Sequence, residues 1–127
     1  MTKPNNFQLN SDYLSLGLTG TVDRTINVPA GSLQNGGYVW STNIPVPAQN
    51  GAIDTVQLTF NGETMCGTAF YINPSGIAAE VDVYRSNAST LTLTVRFYGI
   101  TGDNTSGAWS AFSLGLHVDS FKPPNVA

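Results

Sequence analysis

Residues 53–100 read IDTVQLTF NG ETMCGTAFYI NPSG IAAEVDVYR SNAST LTLTVRFYGI, four runs of alternating polarity separated by three short turn segments. In the last run Leu91, Leu93, Val95 and Phe97 alternate with Thr92, Thr94, Arg96 and Tyr98, the two-residue period of a strand with one buried face. The run before it alternates likewise, with Ile77, Ala79, Val81 and Val83 on one side and Ala78, Glu80, Asp82 and Tyr84 on the other. For the two odd sets to share a face, paired residue numbers must sum to an even value, which a five-residue loop over 86–90 provides. The pattern predicts an antiparallel pair with Val83 opposite Leu93, Val81 opposite Val95 and Glu80 opposite Arg96, at the centre of a four-stranded meander.

Parity also constrains the first turn. A plain two-residue turn at Asn61-Gly62 puts Val56, Leu58 and Phe60 on the face of Met65, whereas the four-residue turn over 73–76 pairs Phe70 with Ala79 and puts Cys66, Thr68 and Phe70 on the buried face. A three-residue loop, Phe60-Asn61-Gly62, with Gly62 left-handed in a bulge, reconciles the two and is the expected form.

Outward from this stretch, residues 1–12 form a polar N-terminal arm in which Phe7 and Leu9 are the anchors, and residues 13–122 form a single domain. Leu14, Leu16, Leu18, Val22, Ile26 and Val28 mark one bent strand or two, interrupted by Gly17 and Gly20, with Arg24 the exception in the series. Residues 32–37 read as a loop. Tyr38, Trp40, Thr42, Ile44 and Val46 share a strand face, and Pro45 and Pro47 place that strand at an edge because proline cannot donate to a ladder. After a glycine-rich loop over 99–107, one strand over 108–121 carries Phe112, Leu114, Leu116 and Val118 inward, and a tail follows at 123–127. About eight strands and no helix make this an all-β chain, an antiparallel β-sandwich or jelly roll.

Composition narrows the function classes. Only 10% of the 127 residues are charged, the net charge is -3, and the five Lys and Arg residues are isolated from one another, so no basic stripe exists for nucleic acid. No run approaches the roughly 20 apolar residues that span a bilayer, so membrane insertion is not expected and the chain reads as soluble, with no signal peptide. A single cysteine, Cys66, allows no intrachain disulfide and falls on a predicted inward face, where a small buried thiol is commonplace. Asn87-Ala88-Ser89 and Asn104-Thr105-Ser106 match the glycosylation sequon and mark exposed turns.

No set of residues names a reaction. Glu80 and Asp82 share a strand face, and paired carboxylates are what glycosidases use, but Arg96 across the sheet makes an ordinary polar face the simpler reading. His117 and Asp119 also share a face, and an acid/base or metal role there needs a further partner. Asp103-Asn104 supplies one carboxylate, too few for a calcium site, so no metal, cofactor or catalytic residue is assigned. Ligand contact is assigned instead to the loop end, where Asp103, Asn104, Thr105 and Ser106 present hydroxyl, amide and carboxylate groups. Trp109 at its foot offers either a flat face for a sugar ring or a plug for the end of the sandwich. Low charge, Tyr84 and Tyr98 on a polar face, and the anchors of the arm predict a homo-oligomer.

The opening KPNNFQLNSDYLSLG, the Thr-, Asn- and Ser-rich strands and the glycine-punctuated loops resemble small virion-associated proteins of phages and prophages, of the tail-fibre or fibre-tip kind. The resemblance implies a β-rich, trimeric, non-catalytic structural or host-attachment module, located in the virion beside other virion proteins and directed at a host-surface glycan. It carries no site residue across, and the chain lacks the repeats or heptads of a fibre shaft. A carbohydrate-binding, lectin-like domain is the alternative, and a small glycoside hydrolase the third reading.

Overall fold

The computed structural model describes residues 17–34, 37–65, 69–72, 76–99 and 106–122. The expected arm (1–12), the tail (123–127), Cys66 and loop residues Asp103, Asn104 and Thr105 lie outside them. Among the described residues there are ten strands: β1 (Gly17–Val28), β2 (Gly31–Gln34), β3 (Tyr38–Pro45), β4 (Ile53–Phe60), β5 (Glu63–Met65), β6 (Ala69–Tyr71), β7 (Ile77–Asn87), β8 (Thr90–Gly99), β9 (Ser106–Trp109) and β10 (Phe112–Lys122). They form two four-stranded antiparallel sheets, β1-β10-β4-β5 and β3-β8-β7-β6, and a two-stranded ladder, β2-β9. The all-β sandwich expected from the alternation is the observed architecture. Among the described residues no helix is long and apolar enough to cross a membrane.

The inward faces meet in one core. Val22, Ile26, Val28, Leu58, Leu114, Leu116 and Val118 from the first sheet pack with Ile44, Ile77, Ala79, Val81, Leu91, Leu93, Val95 and Phe97 from the second. The β7–β8 register is the predicted one, with Val83 opposite Leu93, Val81 opposite Val95 and Glu80 opposite Arg96. The connection is tighter than a five-residue loop: Asn87 pairs with Thr90 around a two-residue turn, and a register shift between Arg85 and Asn87 supplies the odd residue. Asn87 Oδ1 accepts from the Ser89 backbone N–H at 2.9 Å, closing that turn. β3 is an edge strand, as expected from Pro45 at its end and Pro47 just beyond.

Four further expectations are overturned. The meander is split, since β4 and β5 belong to one sheet and β6, β7 and β8 to the other. The first turn is the plain two-residue form, with Phe60 paired to Glu63 and both Asn61 (φ 54°) and Gly62 (φ 81°) left-handed, as a type I′ hairpin demands. No bulge is needed, because the chain changes sheets between Met65 and Ala69 and the two parity constraints never act on one strand. Residues 31–34, of which the sequence assigns 32–34 to a loop, form β2 and bury Leu33. The single C-terminal strand is two, β9 and β10, separated at Ser110-Ala111.

The two ends of the sandwich are closed differently. At one end Phe97 and Trp109 stack with centroids 3.9 Å apart, Phe112 meets Phe60, Phe70 and Phe97 edge-on, and Tyr38 tilts against Phe97 and Trp109. At the other end Arg85 of β7 reaches across the interior. Its Nε and Nη2 donate to the two oxygens of Asp54 on β4 (2.9 Å each), Nη1 donates to the Ala88 carbonyl (2.8 Å), and the Ser120 hydroxyl of β10 donates to Asp54 Oδ1 (2.7 Å). This planar fork ties three strands from two sheets.

Candidate functional site

The outward face of the β1-β10-β4-β5 sheet is built from residues that the register sets in rows. Successive rows are Leu18–Phe121–Ile53, Thr21–Asp119–Thr55, Asp23–His117–Gln57, Thr25–Gly115–Thr59 and Asn27–Ser113. The first is apolar, with Leu18 59% and Ile53 45% exposed, and the rest are polar. Period-two alternation produces this division automatically: the even residues of β10 fill the core, and the odd ones come to the surface.

In the middle row His117 Nδ1 lies 2.6 Å from Asp23 Oδ1, and Nε2 lies 3.1 Å from Asp119 Oδ2. A ring with a carboxylate at each nitrogen is fully satisfied only as the imidazolium, when both nitrogens donate. The Asp23 bond first, and the Asp119 bond second, hold the His117 pKa above its ordinary value. Asp119 is held below the usual carboxylate range, first by the Thr21 hydroxyl, which donates to its Oδ1 at 2.7 Å, and then by His117. The further partner that the His117/Asp119 pair lacked in sequence is therefore Asp23, 94 residues away along the chain. The carboxylates sit on opposite nitrogens of one ring, an arrangement that orients and neutralises but does not chelate, and among the described residues no three such side chains are placed to hold a metal ion.

Beside this trio lies an open hollow of about 290 Å³, lined by Asp23, Thr25, Thr59, Gly115 and His117 among others. Gly115 is its floor, between Thr25 on β1 and Thr59 on β4.

The residues expected to contact ligand are placed differently. Ser106 opens β9 opposite Gln34, so it belongs to a ladder and not to a projecting loop. Trp109 is 4% exposed, stacked on Phe97, with its indole N–H donated to the Pro29 carbonyl at 2.9 Å. It offers no free face to a sugar ring; a large ring at the seam between β9 and the main sheets is drawn inward, and it plugs the sandwich end. Glu80 and Asp82 are exposed on the second sheet.

Sequence reasoning missed the Arg85–Asp54–Ser120 clamp. A signal was present: Asp54 continues the inward series of Val56, Leu58 and Phe60, and Arg85 continues that of Ile77 to Val83, so opposite charges extend two apolar faces. Hydrogen bonding to Arg85 holds the Asp54 carboxyl below its ordinary range against the opposing effect of burial. No family model, curated protein or solved structure matches this chain.

Proposed function

We propose that this chain is a non-catalytic structural or host-attachment module of a phage or prophage virion, of the fibre-tip kind, which self-associates as a homotrimer. One observation carries the reading: a single sheet face holds an exposed apolar row at one end, suited to contact with another copy, and polar rows beyond it, suited to a hydroxylated ligand. The titratable groups of that face support a binding role, because Asp23, His117, Asp119 and Thr21 are tied to one another in a way that fixes geometry and leaves no paired nucleophile and base. The partners are other copies of the chain, other virion proteins and a host-surface glycan. The polar rows equally favour a second reading, a lectin-like domain outside any virion.

Light scattering on a size-exclusion column is the first test. Three chain masses are expected, with Leu18→Asp/Ile53→Asp shifting the mass downward while circular dichroism is unchanged; a monomer at all micromolar concentrations overturns the assembly. Mass spectrometry of gradient-purified particles separates the two readings, since the chain co-purifies with the particle only under the first.

A further inference from the structure

Glycine in the middle of a central strand is unfavourable by roughly 0.5–1 kcal/mol, and it marks a bulge, a bend or a close approach by something else. Three other strand glycines of this fold have such reasons. A Cβ on Gly31 would sit 2.5 Å from the Trp109 ring, one on Gly20 would sit 2.9 Å from Pro47, and Gly107 combines φ +149° with a 2.8 Å approach to Ile77. Gly115 has none of them. Its φ is not positive, the β1 ladder runs through it unshifted, the β4 ladder begins at its pair with Thr59, and an added Cβ would meet nothing nearer than Thr59 Cβ at 3.4 Å. The fold therefore admits a side chain here, and what its absence creates is the hollow on the outward face.

We propose that the hollow over Gly115 is a binding site for one neutral sugar residue, seated on the exposed backbone and held by the Asp23 carboxylate and the hydroxyls of Thr25 and Thr59. The site deepens the attachment reading above and rests on it. Its volume, about 290 Å³, stands at the lower edge of the roughly 300–1,000 Å³ of small-molecule sites, which suits a single ring and not an oligosaccharide. Asp23 is 73% exposed at the side chain and gives His117 only its Oδ1, which leaves Oδ2 to accept from a sugar hydroxyl. The Thr25 and Thr59 hydroxyls both donate and accept, as vicinal hydroxyls require; that of Thr59 also meets Thr64 Oγ1 at 3.5 Å, which leaves it capacity for a second partner. Whether His117 is protonated or neutral, it and Arg24 together do not exceed the two charges of Asp23 and Asp119, so the surround has no net positive charge to draw an acidic sugar, and the charged oxygen left over is an acceptor that repels a carboxylate.

The test is amide chemical-shift mapping on the full chain, titrated separately with the methyl glycosides of glucose, galactose and mannose and with glucuronate. At least one neutral glycoside is expected to shift the amides of Thr25, Thr59, Gly115 and Leu116 at millimolar concentration, with glucuronate at least about ten-fold weaker. Gly115→Thr fills the hollow with a residue that favours strands, and it is expected to melt no lower than the parent while binding at least about ten-fold more weakly. Asp23→Ala, at an exposed position, provides the same loss should Gly115→Thr fold poorly. The proposal is overturned if no neutral glycoside moves those amides, if glucuronate binds as well as the neutral sugars, or if both variants bind as the parent does. Cell attachment is read in parallel. Attachment by the parent without these shifts removes the site and leaves the attachment reading standing, whereas failure of the parent to attach removes that reading itself.

Discussion

Replacing Arg85 by Ala tests the clamp that joins the sheets. The substitution removes two bonds to Asp54 at 2.9 Å, one to the Ala88 carbonyl and one to the Ser120 hydroxyl, and leaves a carboxylate only 13% exposed at the side chain with Ser120 as its remaining partner. Breaking a buried pair by deleting one member costs about 3–5 kcal/mol, and because both side chains keep about an eighth of their exposure the lower end, about 3 kcal/mol, applies here. For a chain of this size that lowers Tm by roughly 10 °C. Arg85→Lys keeps the charge without the fork and should lose about half as much. Urea denaturation of the two single variants and of Asp54→Ala/Arg85→Ala gives the coupling energy. The double variant should be less destabilised than the sum of the singles by about 1–3 kcal/mol, because it strands no buried charge. The pH dependence has a definite sign. Asp54 is depressed in the folded chain, so its contribution is complete above its unfolded pKa and is lost as pH falls through the lower folded value. That part of the acid loss should vanish in Arg85→Ala. A loss below about 1 kcal/mol, the range of exposed pairs, would refute the reasoning, as would a coupling energy of zero.

His117 should titrate above its ordinary value in nitrogen-detected NMR, and Asp23→Asn should lower that midpoint more than Asp119→Asn; because the folded pKa is raised, the stability it contributes is complete below the unfolded pKa and is lost as pH rises through the folded one. Gly62→Ala should cost about 1–2 kcal/mol in chemical denaturation, a pure backbone effect, since φ is +81° while the added Cβ would meet open space. Trp109→Ala should cost about 3–5 kcal/mol or abolish folding, and in a Trp40→Phe background the emission of Trp109 should be blue-shifted and resistant to iodide quenching.

The register of β7 and β8 was legible because each strand has one face that must be buried, so a one-residue slip would turn Ile77, Val81, Leu93 and Val95 to water. The sheet change between Met65 and Ala69 was not, because alternation reports which side of a strand is apolar and is silent on which sheet the strand joins. β2 was hidden for another reason. GSLQ carries one inward apolar residue, Leu33, and its glycine is there because the Trp109 ring occupies the place of a Cβ, a contact made 78 residues later. The His117 trio was half visible. Spacing on β10 gave His117 and Asp119, while Asp23 comes to them only through the β1–β10 register, which no local pattern encodes.

β10 lies between β1 and β4, and Gly17 pairs with Lys122, so the first described strand waits for the last. During synthesis Val22, Ile26 and Val28 are made long before Phe112 to Val118 exist to cover them. At roughly 5–20 residues per second the interval is on the order of 5–20 s, far longer than the microseconds in which a hairpin such as β7–β8 forms. Throughout that time a 12-residue strand with one apolar face has no partner of its own chain, and neighbouring nascent copies on one messenger present the same unpaired strand. The order of strands in this sheet thus makes the speed of translation, and whatever shields β1 meanwhile, part of what determines the yield of folded protein.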